Sequence, residues 1–256
     1  MAKYVIFTCI TGGFDSLLQP LVTDPDFDFV CFLPEEEVRS ERIGEWHIRP
    51  LRAMPLSNRL LAKYVKMHER FLLSEYEYSL WIDGNIRVAT AEVFGIFREK
   101  VARGILFSGI NHPLRDDVYE EALKVYSNGL DSYGKVMDTV SFLSRERYPR
   151  HSGLYETNVV FRKHSDPAVA SFDELWWEMV NRYSSRDQLS HGYCLRKAGL
   201  RDDHFVPEDY SARDYPAFGY VFHGKAVKRS WFGRKWHGLV TWWPSRRLVS
   251  AVRKIK

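Results

Sequence analysis

The stretch 78–85, YSLWIDGN, constrains the fold of this chain most strongly. Its first five residues form a mostly apolar, β-prone run that stops abruptly at Asp83-Gly84-Asn85. This pattern predicts a buried strand that presents a carboxylate at its carboxyl end, where open α/β sheets bind ligands. Asp83 and Asn85 can direct two oxygen ligands toward one divalent cation. The alternative is a plain Asp-Gly-Asn turn between two strands.

Length and composition favour one large domain with a full core. The 256 residues are 45% hydrophobic and 15% aromatic, which argues against disorder. Cys9, Cys31 and Cys194 are odd in number and far apart, which argues against a disulfide framework or a zinc knuckle. We therefore expect reduced thiols and a cytosolic protein. The opening residues predict no signal peptide, and no stretch has membrane-spanning length.

Strand and helix patterns along the chain predict an α/β fold. Strands are predicted at 4–10, 27–33, 46–50, 78–82, 104–108 and 153–163, and helices at 56–74, 91–103, 116–128, 132–148, 171–183 and after Asp187. The first strand runs into Thr11-Gly12-Gly13, where two glycines allow a ligand to approach the backbone. This turn lacks the G-x-G-x-x-G spacing of dinucleotide-binding folds.

The helix predicted at 56–74 carries a basic stripe formed by Arg59, Lys63, Lys66 and Arg70. A solvated helix face is one interpretation of such a stripe. We favour a phosphate-binding role for Arg59 and Lys63, because the helix leads directly into the Asp83 strand and offers few acidic partners to its basic residues.

These segments together resemble the nucleotide-sugar-binding half of glycosyltransferases of the A fold, which belong to the nucleotide-diphospho-sugar transferase superfamily. The similarity is closest to a glycosyltransferase-like family found in bacterial polysaccharide loci and in plant wall and mucilage proteins. It spans about residues 4–210 and is carried by R-x-x-x-K-x-x-K-x-H from Arg59, YSLWIDGNI, Asn111-His112-Pro113, Arg115, the segment 119–122, the segment 154–158 and Arg186-Asp187-Gln188-Leu189.

The resemblance implies a Rossmann-like mixed sheet flanked by helices, and a D-x-D-type motif that binds Mn²⁺ or Mg²⁺ and, through it, the donor diphosphate. Asp83-Gly84-Asn85 stands at that motif with one fewer negative charge. An H-x-G-x-x-K element is matched by His223 and Lys228, which would complete the metal shell and grip the diphosphate. His204 is the competing histidine.

The resemblance also suggests individual site residues. Thr11 and Gly12 would contact the nucleotide. The contacts to sugar or acceptor would come from His112, Glu156, Asn158 and Gln188. The alternatives are a loop histidine without a role and an edge strand with a polar rim.

Asp187 would lie near the anomeric carbon. Its carboxylate can orient the acceptor hydroxyl, accept its proton or stabilise an oxocarbenium-like centre. As an alternative, Asp187 simply caps the helix that follows. The adjacent pair Trp176-Trp177 is predicted to pack in the core rather than to stack on sugar.

The carboxyl-terminal segment has a different charge from the rest of the chain. Residues 215–256 contain ten Lys or Arg and no acidic residue, so the first 214 residues carry 27 basic against 33 acidic side chains, a net charge of −6. We divide the chain into a catalytic domain, 1–229, and a basic aromatic tail, 230–256. Tryptophans among cations predict docking on an anionic membrane surface. The alternative is a closing helix packed on the domain, and no nucleic-acid motif is present.

The sequence thus predicts a metal-assisted glycosyltransferase that moves a sugar from a nucleoside-diphosphate donor, UDP-linked, to a glycan or lipid-linked acceptor. Two other classes stay open. A nucleotidyltransferase would share the sheet and metal, but the chain lacks a glycine-rich, lysine-bearing loop after the first strand. A non-catalytic glycan-binding or membrane-docking protein would show no metal-dependent nucleotide affinity.

Overall fold

The computed structural model describes residues 3–221 and 246–255 of the protein. The strands are β1 (Tyr4–Cys9), β2 (Phe27–Pro34), β3 (Arg42–Ile43), β4 (Trp46–Leu51), β5 (Tyr78–Ile82), β6 (Ile86–Val88), β7 (Phe107–Asn111), β8 (Tyr155–Lys163) and β9 (Phe218–Tyr220). The helices are α1 (Asn58–Met67), α2 (Glu69–Leu72), α3 (Glu92–Ala102), α4 (Val118–Ser127), α5 (Tyr133–Arg145), α6 (Pro167–Arg182), α7 (Gln188–Ala198) and α8 (246–253).

A mixed sheet of seven strands, ordered β3-β4-β2-β1-β5-β8-β7, forms the centre of the fold. Strand β1 pairs in parallel with β2 and β5, and β2 pairs in parallel with β4. Strand β8 lies antiparallel between β5 and β7. Strands β6 and β9 form a separate two-stranded sheet. The predicted α/β class with a mixed sheet flanked by helices is confirmed.

Each face of the sheet has its own apolar core because side chains alternate along the strands. In β1, Val5 and Phe7 belong to the core under α1, α4, α5, α6 and α7, whereas Ile6 belongs to the core under α3. Both faces are thus covered, which explains why β1 and β5 are continuous buried runs rather than alternating ones.

Several element boundaries differ from the prediction. The helix predicted at 56–74 ends as α1 at Met67, because His68 turns out of helical geometry and stacks on Tyr64, with ring centroids 4.0 Å apart. Strand β7 begins three residues later than predicted, after a turn in which Gly104 has φ +68°. Helix α6 begins earlier, because the Asp166 side chain accepts a hydrogen bond from Ala168 N and Pro167 occupies the first turn.

The end of the basic tail packs on the domain. In α8, the side chains of Leu248 and Val252 are buried and join the same apolar core as α4. Residues 222–245 lie outside the described residues. They include the tail tryptophans at 231, 236, 242 and 243, and the predicted site residues His223 and Lys228. Within the described residues, no helix combines the length and the apolar character needed to cross a membrane.

Candidate active site

A polar pocket opens at the carboxyl end of β5. It is lined by Lys63, Asp83, Asn85, Glu156, Thr157, Asn158, Arg186, Asp187, Gln188, Arg213 and Tyr220. The pairing of β5 with β8 explains this convergence. Ile82 is opposite Val159, and Asp83 N donates to Asn158 O at 2.8 Å, so the end of β5 lies beside the start of β8.

Asp83 is fixed at the pocket by its own strand. Its Oδ1 accepts a hydrogen bond from Trp81 Nε1 at 2.7 Å. Gly84 lies close to the β1 loop, because a Cβ at this position would be 3.2 Å from Ile10 Cγ1 and 3.4 Å from Asp15 Oδ2. A glycine therefore lets the loop after β1 approach the motif, and it brings Asp15, which the sequence analysis did not select, beside the pocket.

Asp187 is held by two lysines rather than by its own helix. Its Oδ2 is 2.6 Å from Lys63 Nζ and 2.9 Å from Lys66 Nζ. Burial alone would raise the pKa of Asp187, but the two ammonium groups hold that pKa well below its usual range. The Asp187 side chain makes no capping hydrogen bond to α7, so the interpretation of Asp187 as a plain helix cap is wrong.

Lys66 connects the two acidic motifs of the site. Its side chain is fully buried and its ammonium lies 5.5 Å from the Trp81 ring centroid and 5.3 Å from that of Trp176. It donates to Thr157 O and to Asp187, and it lies 3.8 Å from Asp83 Oδ1. Burial lowers the pKa of Lys66 to about 8, against the raising effect of Asp187. A solvated face, one of the two interpretations of the basic stripe, is therefore wrong for Lys66.

The spacing of Lys63 and Lys66 held a signal for this arrangement. Residues three apart on a helix share a face, so the two ammonium groups can reach the same partner. The sequence could not show that this partner lies 124 positions downstream of Lys63, at the start of α7.

Glu156 and Asn158 lie buried on the β8 side of the pocket. Glu156 Oε2 is 3.3 Å from both Asn158 Nδ2 and Ala212 N, and its Oε1 is 3.8 Å from Arg213 Nε. Burial raises the pKa of Glu156, and Arg213 partly offsets that effect. Asn158 Oδ1 is buried and accepts no hydrogen bond from any residue that the structure describes.

Three side chains of the pocket are candidates to hold a divalent cation. Asp83, Asn85 and Asn158, whose Oδ1 is unsatisfied, carry oxygen donors of the kind that hard cations prefer. Against tight binding, Asp83 Oδ1 already accepts from Trp81 and faces the Lys66 ammonium. No group of three or more His, Cys, Asp or Glu suited to a metal is present in residues 3–221 and 246–255. The remaining ligands of such a cation would have to come from a bound diphosphate.

The predicted nucleotide residues Thr11 and Gly12 lie at the end of β1, outside the pocket lining. Thr11 Oγ1 donates to Asn58 O, and Gly12 N donates to Glu37 Oε1 at 3.0 Å. Gly12 has φ +62°, and a Cβ there would lie 2.1 Å from Asn58 Nδ2, so only glycine fits this turn.

Arg59 and the two histidines are not brought into the pocket. The Arg59 guanidinium donates to Leu130 O at 3.0 Å and to Ser185 Oγ at 3.4 Å. His112 Nδ1 accepts from Arg115 N at 3.1 Å and closes the turn after β7. His204 Nε2 lies 3.4 Å from Glu208. Trp176, by contrast, is fully buried, which confirms its predicted packing in the core.

A mixed α/β sheet with helices on both faces and a pocket at the carboxyl end of a central strand is consistent with the glycosyltransferase A-fold class. Within that class, the chain belongs to the family described as "TOD1/MUCI70, glycosyltransferase-like domain", which matches residues 1–207. It is 25% identical over 209 residues to a protein of Arabidopsis thaliana named "Probable hexosyltransferase MUCI70". That match covers 73% of this chain and 36% of the plant protein.

Proposed function

We propose that this protein is a glycosyltransferase that moves a sugar, a hexose, from a nucleoside-diphosphate donor to a glycan or lipid-linked acceptor in polysaccharide synthesis. The observation that carries the proposal is the convergence of three motifs in one pocket. Asp83 and Asn85 from β5, Glu156 and Asn158 from β8, and Asp187-Gln188 at the start of α7 all line it. Membership of a glycosyltransferase-like family supports the same conclusion.

We propose Asp83, Asn85 and Asn158 as the residues that would hold a divalent cation, Mn²⁺ or Mg²⁺. When bound, such a cation offsets the charge of the departing diphosphate. A lysine of the site also supplies positive charge, independently of a metal. Lys66 supplies a fixed positive charge between Asp83 and Asp187, and it keeps the two carboxylates from repelling each other.

The surroundings of Asp187 argue against one of its three predicted tasks, the acceptance of a proton. A carboxylate pinned by two ammonium groups is a weak base at neutral pH, since efficient bases have a pKa near the working pH. We therefore assign Asp187 to orienting the acceptor hydroxyl and to electrostatic stabilisation of the reacting centre, and not to accepting a proton. Gln188, fixed by its donation to Tyr155 O at 3.2 Å, would contact the sugar beside it.

We place this activity in the cytosol, which fits three buried cysteines without disulfide partners. We also propose that the basic aromatic tail docks on an anionic membrane surface, where lipid-linked acceptors are found. The charge asymmetry of the chain supports this part of the proposal, which depends on residues 230–245, because α8 is packed on the domain.

Calorimetric titration with UDP, GDP, CDP and the matching nucleoside triphosphates, with and without Mn²⁺, tests the proposed function. We expect affinity for at least one nucleoside diphosphate, strengthened by Mn²⁺, and loss of the Mn²⁺ effect in Asp83→Ala. The matched control is Asp138→Ala, which changes an exposed aspartate on α5.

Two outcomes would favour another class of protein, and a third concerns the metal alone. Preference for a nucleoside triphosphate would favour a nucleotidyltransferase. No nucleotide affinity would favour a non-catalytic glycan-binding protein. An Mn²⁺ effect that persists in Asp83→Ala would overturn the metal assignment while leaving the transferase in place.

A further inference from the structure

The cations of the pocket differ in how they are neutralised. Lys63 is paired with Asp187 at 2.6 Å, and Arg213 lies 3.8 Å from Glu156. Arg186 also lines the pocket, but no carboxylate lies within 4.0 Å of its guanidinium among residues 3–221 and 246–255. In that part of the chain, Arg186 is therefore the pocket cation whose charge is left without a carboxylate.

The guanidinium of Arg186 also has unused hydrogen-bonding capacity. Its Nε is buried and donates to no described residue. Its Nη2 makes one long contact, 3.4 Å, to Gln188 Oε1. A buried donor without a partner costs free energy, so the unliganded site is poised to gain an acceptor from a ligand.

The loop that carries Arg186 is firmly held. Asp131 accepts hydrogen bonds from Ser184 Oγ at 2.7 Å and from Ser185 N at 3.0 Å. Trp176 Nε1 donates to Asp187 O at 3.1 Å on the other side of Arg186. The guanidinium therefore projects from a fixed backbone, and such preorganisation lowers the entropic cost of binding an anion.

We propose that Arg186 binds the phosphate oxygens of the nucleotide donor, the task that the sequence analysis gave to Arg59 and Lys63. The planar fork of arginine matches two phosphate oxygens at once. Arg186 immediately precedes Asp187, at the amino-terminal end of the eleven-residue helix α7, whose dipole also favours an anion. This inference rests on the proposed function, because it takes the pocket to be the donor site.

Calorimetry on Arg186→Gln and Arg186→Lys tests this assignment. The ligands are UDP, GDP and CDP, the matching nucleosides without phosphate, and inorganic pyrophosphate. Arg182→Gln is the matched control. It removes an arginine four positions earlier whose side chain is 67% exposed and lies 3.8 Å from Glu178 Oε1.

We expect Arg186→Gln to weaken nucleoside-diphosphate and pyrophosphate binding by roughly 10- to 100-fold, the loss for a charge-assisted hydrogen-bonded pair. Nucleoside binding should not change. Arg186→Lys keeps the charge but loses the fork, so its loss should be intermediate. That variant also decides the question if Arg186→Gln fails to fold.

If Arg186→Gln binds nucleoside diphosphates as tightly as the control Arg182→Gln, the role of Arg186 is overturned and the transferase still stands. If Arg186→Gln does not fold, the same comparison is made between Arg186→Lys and Arg182→Gln. Pyrophosphate binding that depends on Arg186, without affinity for any nucleotide, would support the phosphate subsite and overturn the proposed function. A wild-type protein that binds neither nucleotide nor pyrophosphate would overturn both.

Discussion

Replacement of Asp187 by asparagine should destabilise the protein as well as impair it. Asp187 is 3% exposed and faces Lys63 and Lys66, of which Lys66 is 0% exposed. Asparagine keeps the shape but removes the charge, so the buried ammonium of Lys66 and the partly buried ammonium of Lys63 lose their shared counter-charge. Among the described residues, Asp83 Oδ1 then remains as the carboxylate oxygen within 4.0 Å of Lys66 Nζ, at 3.8 Å. Removing one partner of a buried ion pair costs about 3–5 kcal/mol.

Lys66 limits that cost. Burial already lowers its pKa to about 8, and loss of Asp187 would lower the pKa further, so Lys66 can discharge at neutral pH. We therefore expect the lower end of the range, about 3 kcal/mol. For a domain of this size, that loss lowers Tm by roughly 6–12 °C.

Urea unfolding of Asp187→Asn, Lys66→Met and the double variant provides the measurement. The double variant removes both charges, so it should be less destabilised than the sum of the single variants by about 2 kcal/mol. Asp138→Asn, at an exposed position on α5, is the control. Strictly additive effects, or an Asp187→Asn variant within about 0.5 kcal/mol of the wild type, would refute the buried charge cluster.

Two further predictions concern acid stability and the tail. Burial lowers the pKa of His191 to about 3, so the unfolded chain takes up a proton below pH 6.5 that the folded chain does not, and stability falls as pH drops from 6.5 toward 3. Both ring nitrogens of His191 are buried without a described partner, and four aromatic rings surround the imidazole, so His191→Phe should fold. Between pH 7 and pH 5, the free energy of unfolding in urea should fall by about 2 kcal/mol less in His191→Phe than in the wild type. An unchanged pH dependence would contradict this. Co-sedimentation of the wild type with anionic liposomes should decrease as the salt concentration rises, and alanine at both Arg234 and Lys235 should weaken the binding. Binding that does not depend on salt would count against docking by charge.

The sequence predicted the central strand and the polar residues beside it well, and the partners of charges poorly. Strand β5 occupies the predicted residues 78–82, and Asp83, Glu156 and Asp187 converge in one pocket as side chains at strand ends and a helix start. Such positions follow from local patterns of apolar residues. The pairing of β5 with the antiparallel β8 is a long-range choice that no local pattern encodes.

The basic residues illustrate the same limit. Charge alone predicted exposure or phosphate binding for the α1 stripe, but Lys66 is the counter-ion of a buried carboxylate 121 positions away. Arg186 received no role from the sequence, because its significance lies in the carboxylates that are not near it. In the tail, the basic composition gave no indication that Leu248 and Val252 of α8 are buried against the domain.

The most direct test of the central claim is release of nucleoside diphosphate from UDP- and GDP-hexoses, measured for the wild type and for Asp187→Asn with Mn²⁺ present. We predict release from at least one donor by the wild type. Asp187→Asn should lower that rate roughly a hundredfold or more, the scale lost with an electrostatic stabiliser, while nucleotide affinity stays unchanged. No release from any donor, or equal release by folded Asp187→Asn, would contradict the account.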